Sequence, residues 1–111
     1  YNLPIKIINI NNEALGMVKQ WQDMSYGGRH SESTYQSSLP NFIELVESYG
    51  HVGFKIEKNS DLKEKLEKAF SIKDRLVFID VYVDPSEHVY PMLVAPNGSL
   101  KDMWISKDKK V

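Results

Sequence analysis

The run Ile5-Lys6-Ile7-Ile8-Asn9-Ile10-Asn11-Asn12, continued by Glu13-Ala14-Leu15-Gly16-Met17-Val18-Lys19-Gln20-Trp21-Gln22, decides how this chain is read. The apolar stretch 5–10, broken only by Lys6 and Asn9, reads as a strand buried on both faces, as in a parallel sheet. Met17, Gln20, Trp21 and Met24 then recur at helical spacing, which predicts a helix from Leu15 or Gly16 to Met24. An Asn pair at the carboxyl end of a buried strand, followed by a Gly that opens a helix, suits a phosphate-bearing cofactor. Amide oxygens are hard ligands for Mg²⁺, and the free N–H groups of a helix N-terminus attract phosphate. Taken alone the pair is a weak signal, because Asn is a common turn residue.

Outward from that stretch, residues 25–39 are polar and rich in Gly and Ser, without periodicity, which predicts a functional or mobile loop. A second helix is expected to start at Pro40, carry Phe42, Leu45, Val46 and Tyr49 as its apolar stripe, and stop at Gly50. A short strand follows at 52–56. A third helix, capped by Asn59 or Ser60, turns Leu62, Leu66, Ala69 and Phe70 inward and sets Asp61/Lys65 and Glu64/Lys68 at i, i+4 on a solvated face. Residues 75–83 form the most strand-like run of all. The remainder, 84–111, reads as an irregular tail with turns at Asp84-Pro85 and Pro96-Asn97-Gly98. Strands alternating with helices imply an α/β fold, a parallel sheet flanked by helices. In open sheets of this kind ligands sit outside the carboxyl ends of the strands, where Asn11 and Asn12 lie.

Composition narrows the function classes. The chain has 111 residues, 41% of them hydrophobic and 26% charged, which fits one globular domain. A net charge of −1 gives no basic field for nucleic acid. Cys is absent, which excludes disulfides and thiolate metal sites and fits a reducing cytoplasm. No apolar run approaches the roughly 18 residues of a membrane span. The three histidines, His30, His51 and His88, match no metal-binding spacing and read as ordinary loop or surface residues, with His30 closest to a possible site. Asp80 lies inside a buried strand and needs a hydrogen-bond partner. Arg29 reads as a solvated loop residue with the option of meeting a carboxylate. The start at Tyr1, running directly into a strand, reads as a piece of a longer chain or a trimmed terminus.

The motif after the Asn pair, Leu15-Gly16-Met17-Val18 with Gln20-Trp21-Gln22, is followed in order by further segments. These are Tyr26 and Gly28-Arg29-His30-Ser31; Leu39-Pro40-Asn41-Phe42; Tyr49-Gly50-His51-Val52-Gly53; Phe78-Ile79-Asp80-Val81; and Val89-Tyr90-Pro91-Met92. Together they resemble the large catalytic subunits of acetohydroxyacid synthase (acetolactate synthase), bacterial type. Residues 1–111 would be the C-terminal portion of the thiamine diphosphate-binding domain. The family motif opens with Gly-Asp-Gly and closes with Asn-Asn, and only the closing half occurs in this chain.

The resemblance implies roles. Asn12 would give its side-chain oxygen, and Ala14 its backbone carbonyl, to Mg²⁺. Leu15, Gly16 and Met17 would line the cofactor, Gly16 allowing close approach for want of a Cβ. Periodicity alone assigns Met17 and Trp21 to a helix core. The resemblance instead places Trp21, with Val18 beside it, in the channel for substrate and for sulfonylurea and imidazolinone herbicides. No catalytic residue is expected in this segment. The parent enzyme would condense two pyruvates, or pyruvate and 2-oxobutyrate, with loss of CO₂, in branched-chain amino acid biosynthesis. It would bind FAD outside this segment and need the rest of its own subunit, a second large subunit and a small regulatory subunit. The isolated segment is expected to be inactive. Two other readings stay open on the residues: another thiamine diphosphate enzyme of the glyoxylate carboligase or pyruvate oxidase type, or a non-catalytic module that keeps the fold.

Overall fold

The computed structural model of the chain describes residues 3–94 and 98–111. In chain order the elements are β1 (Lys6–Asn11), α1 (Gly16–Ser25), α2 (Phe42–Ser48), β2 (Val52–Ile56), α3 (Asn59–Ser71), β3 (Val77–Tyr82), β4 (Met92–Leu93), β5 (Met103–Ser106) and β6 (Lys109–Lys110). Short 3₁₀ turns occur at Gln36–Ser38 and Leu100–Asp102. The chain forms two compact units, one of Tyr1–Glu13 with Tyr35–Asp84, the other of Ala14–Thr34 with Pro85–Val111.

The first unit is α/β, as expected. Its sheet has the order β1-β3-β2 and is parallel throughout, with Ile8 opposite Ile79 and Phe54 opposite the same Ile79. Strand alternation gives the sheet two different faces. On one face Val77 and Ile79 of β3 and Ile56 of β2 pack against Ala69 of α3, all nearly inaccessible, with Val52, Phe54, Leu66, Ile72 and Val81 around them. Burying each large aliphatic side chain there contributes about 1.5–3 kcal/mol. Over the other face lies α2. Asn41 caps it, its Oδ1 accepting from the Ile43 and Glu44 N–H groups at 3.1 and 3.3 Å. The Phe42 and Phe78 rings meet at 5.7 Å, and Ile43 sits directly on Gly53, where a Cβ would come within 2.8 Å of Ile43 Cγ2.

Several expectations need correction in this unit. β1 is not buried on both faces: Ile7, Ile8 and Ile10 are 40, 47 and 63% exposed. It is an edge strand, and α3 covers β2 and β3 rather than β1. The second helix starts two residues after Pro40, because the Asn41 side chain captures its first N–H groups and Pro40 falls outside the cap. Phe42 turns toward the sheet as expected, but Ile43 joins it there, while Leu45 and Tyr49 face solvent. Gly50 does stop the chain with φ +78°. α3 begins at Asn59 after an extended Lys58, without a side-chain cap. Its Leu66 and Ala69 face the core, whereas Leu62 and Phe70 are substantially exposed at the margin of the strands it covers. The Asp61–Lys65 and Glu64–Lys68 pairs form at 3.5 and 2.6 Å.

The second unit shows that the segment after Asp84 is not uniformly irregular. β4, β5 and β6 make a small antiparallel sheet, with Met92 opposite Trp104 and Lys110 Nζ lying 4.8 Å over the Trp104 ring. The strands are too short to give a readable alternation, which is why periodicity missed them. Pro96 and Asn97 of the expected turn lie outside the described residues. α1 ends in a pair of left-handed glycines, Gly27 at φ +62° and Gly28 at φ +71°, with the Gly28 N–H returning to the Gln22 carbonyl at 3.1 Å. Side chains would strain both positions. Among the described residues no helix is long and apolar enough to cross a membrane.

Candidate functional site

In the first unit, the carboxyl end of β1 is a polar patch on the α2 face. Asp80 of the central strand is 2% exposed. Its two oxygens accept from Asn9 Nδ2 at 2.8 Å and from Asn11 Nδ2 at 3.3 Å. Thus the buried carboxylate has the partners its burial requires, and they are neutral amides. Asn11, itself 6% exposed, uses its remaining oxygen to accept the Glu13 N–H at 3.0 Å. That bond closes a turn in which Glu13 takes φ +56°, a left-handed conformation that costs a non-glycine residue about 1–2 kcal/mol. Asn12 is the middle residue of this turn. The Tyr35 N–H fixes the Glu13 carbonyl at 2.9 Å, and the Val83 N–H fixes the Asn11 carbonyl at 3.0 Å. Beside the patch a cavity of about 280 Å³ is lined by residues that include Glu13, Asn41, Lys55, Asp80 and Tyr82. Lys55 lies 4.4 Å over the Tyr82 ring. Its hydrogen bond to Glu57 at 2.8 Å raises its pKa above the ordinary lysine range.

The second unit opens with Ala14, bridged antiparallel to Thr34, and with Leu15, whose N–H donates to the Ser33 carbonyl at 2.8 Å. α1 starts at Gly16 without a side-chain cap. Leu15, Met17 and Val18 are 44, 51 and 46% exposed, so Met17 is not the core residue that spacing alone suggests. The buried position of α1 is Gln20, at 1% exposure. Val18 and Trp21 line one open cavity of about 420 Å³ with Gln22, Tyr26, Arg29 and Ser31, and the surface turned to it is largely apolar. Gln22 secures the wall of this cavity. Its Nε2 donates to the Ser31 carbonyl at 3.1 Å and its Oε1 accepts from the Ser33 hydroxyl.

Residues 1–81 match the family of thiamine pyrophosphate enzymes at its C-terminal TPP-binding domain. The chain belongs to that family. Among the curated relatives of this TPP-binding domain, the acetolactate synthase large subunit of Haemophilus influenzae is 56% identical over 110 residues, 99% of this chain. The acetolactate synthase isozyme 3 large subunit of Escherichia coli K12 is 53% identical over 112 residues, also 99% of this chain. A more distant one, the acetolactate synthase large subunit of Porphyra purpurea, is 34% identical over 110 residues, 99% of this chain. The chain spans about 19% of the length of the bacterial relatives.

Within the TPP-binding domain, the residues that the resemblance singles out fall into different parts. Asn12 belongs to the sheet unit, while Ala14, Leu15, Gly16, Met17, Val18 and Trp21 belong to the other. Of these, Val18 and Trp21 share a cavity. The donors offered to a metal are neutral, hard oxygens, an amide and a peptide carbonyl, of the kind Mg²⁺ accepts. No group of three His, Cys, Asp or Glu able to hold a metal occurs among the described residues. Each donor taken by itself is chemically of a kind that Mg²⁺ accepts.

Sequence reasoning missed one cluster. Asp23 accepts from Lys19 at 2.8 Å, from His30 at 2.6 Å and from His88 at 2.9 Å. His88 is largely buried, so it is not the surface residue expected. Lys19 and Asp23 at i, i+4 were a readable signal; nothing local pointed to the two histidines. Burial pushes the Asp23 carboxyl up, but the hydrogen bonds and charges of Lys19 and His30 outweigh it and hold it down at about 2.

Proposed function

We propose that this chain is the C-terminal part of the cofactor domain of an acetolactate synthase large subunit, a transferase of branched-chain amino acid biosynthesis acting in the cytoplasm. The observation that carries the reading is identity above 50% over nearly the whole chain to bacterial acetolactate synthase large subunits. Bound thiamine diphosphate supplies the electron sink for decarboxylating a 2-oxo acid and joining the product to a second one. In that setting Asn12 gives its amide oxygen and Ala14 its carbonyl to Mg²⁺. Leu15, Gly16 and Met17 line the cofactor, with the uncapped N–H groups of α1 on the diphosphate side. Val18 and Trp21 form a wall of the substrate channel, and the apolar cavity they line is of a size to admit a small 2-oxo acid. FAD, the metal carboxylate, the second large subunit and the small regulatory subunit come from outside these residues.

The test is a pair of substitutions in the full-length enzyme. Asn12→Ala removes a metal ligand and is expected to weaken thiamine diphosphate binding at least 10-fold, on the order of a lost charge-assisted contact. Trp21→Leu is expected to leave cofactor affinity intact and to change the preference between pyruvate and 2-oxobutyrate as acceptor. Unchanged cofactor affinity in Asn12→Ala would remove the metal assignment.

A further inference from the structure

We propose that Asp80 is a positioning residue for the metal-bearing turn, acting through Asn11. The inference rests on the reading of Asn12 as a Mg²⁺ ligand and extends it to a residue in another strand.

An Asn side chain has two chemically different ends. Its amide has one acceptor end and one donor end, and the protein must decide which way it points. Both Asp80 oxygens act as acceptors, one for Asn9 and the other for Asn11, so Asn11 turns Nδ2 toward it. That leaves Oδ1 facing the other way, where it accepts the Glu13 N–H at 3.0 Å. The same bond stabilises the left-handed Glu13 and closes the turn around Asn12. With the amide reversed, an NH₂ group would face the Glu13 N–H, two donors against each other, and the turn would lose its closing bond. Asp80 is itself held by Asn9 at 2.8 Å and is nearly inaccessible, so its own orientation is fixed. The strand does not depend on this linkage: the Asn11 carbonyl keeps the Val83 N–H, and β1 keeps its full register with β3. Asp80 therefore governs the turn more than the sheet. Residues that orient a ligand from behind commonly carry a 10- to 100-fold effect on metal affinity.

The experiment exchanges the two groups in the full-length protein. Asp80→Asn lets one of the two amides it faces reverse. Asn11→Asp puts two carboxylates against each other. Asn11→Asp is expected to raise the Mg²⁺ concentration needed for thiamine diphosphate binding roughly 10-fold or more, and Asp80→Asn to raise it in proportion to the share of molecules in which Asn11 rather than Asn9 reverses. The double variant Asn11→Asp/Asp80→Asn restores every bond: the Asn amide donates to the new carboxylate at 11, whose second oxygen accepts the Glu13 N–H. Its carbonyl end accepts from Asn9. The double variant is expected to recover the Mg²⁺ response to within about threefold of the parent, as coupling of Asp80 to the turn through Asn11 requires.

A second readout is independent of the metal. Hydrogen exchange of the apo protein, in the peptide spanning residues 11–14, is expected to quicken in each single variant and slow again in the exchange variant. Failure of the exchange variant to restore both readouts overturns the positioning role. If exchange rates follow the expectation while neither single variant shifts the Mg²⁺ response, Asp80 still orders the turn but the proposed role in metal positioning is refuted. Asn12→Ala then tells whether the metal assignment itself has failed.

Discussion

Replacing Gln20 by Leu is expected to unfasten the second unit from within. Gln20 is 1% exposed. Its Nε2 donates to the Val89 carbonyl at 3.0 Å and to Met92 Sδ at 3.1 Å, and its Oε1 accepts the Val89 N–H at 3.0 Å. One side chain thus satisfies both backbone groups of Val89, as a strand neighbour would, and ties α1 to the segment leading into β4. Leu has nearly the volume of Gln and opens no cavity, but it takes away both hydrogen bonds to the Val89 backbone and the weaker one to Met92 Sδ. Each Val89 bond is worth about 1 kcal/mol net, and leaving the Val89 groups without a partner adds desolvation on top, for a total of about 2–4 kcal/mol. For a chain of this size that corresponds to a fall in Tm on the order of 10 °C. Val89→Ala is the control: the Val89 side chain is 63% exposed, so its loss should cost under about 0.5 kcal/mol. Calorimetric unfolding of the three proteins measures the difference. A Gln20→Leu protein that melts within about 2 °C of the parent would refute the claim that this amide holds the unit together.

Gly53→Ala is expected to destabilise the sheet unit by about 1–3 kcal/mol, because the added methyl meets Ile43 Cγ2 at 2.8 Å and the helix backbone at Ile43 Cα at 3.1 Å. In a urea titration, Ile43→Ala should cost less in the Gly53→Ala background than in the parent, and strict additivity would contradict the contact. The Asp23 carboxyl lies lower in the folded chain, at about 2, than its ordinary 3.8. Its contribution is therefore complete above the ordinary value and is lost as pH falls through that window toward 2. Between pH 5 and 2 the parent should lose stability more steeply than Asp23→Asn, and parallel pH profiles would exclude the role. Isothermal calorimetry on the 111-residue chain with Mg²⁺ should find no tight thiamine diphosphate binding, since two neutral oxygens at Asn12 and Ala14 do not complete an octahedral shell. A micromolar Kd would overturn that ligand count.

The amino-acid sequence by itself determined the strands and helices of the first unit, though not the short strands after Asp84. Apolar runs at 5–10, 52–56 and 75–83 carry enough β-branched and aromatic character to form strands wherever they are placed. The spacing of Leu66 and Ala69 commits 59–71 to an amphipathic helix, and their alternation makes the sheet parallel. Gly50 set its own turn, because a left-handed stop is a local demand. The stretch proposed for the cofactor, Asn12 to Met17, is equally local, covering the turn after β1 and the start of α1. What lay beyond reach were the partnerships between distant residues. Strand order, β1-β3-β2, left the isoleucines of β1 at an exposed edge, although their pattern matches that of a buried strand. Register brought Asn9 and Asn11 to Asp80, and only the packed second unit brought His88 to Asp23 and Val89 to Gln20. Periodicity reports which face of an element is apolar. The partner of a buried polar group is chosen by register and packing across the fold, and no local window of sequence contains both ends of that bond.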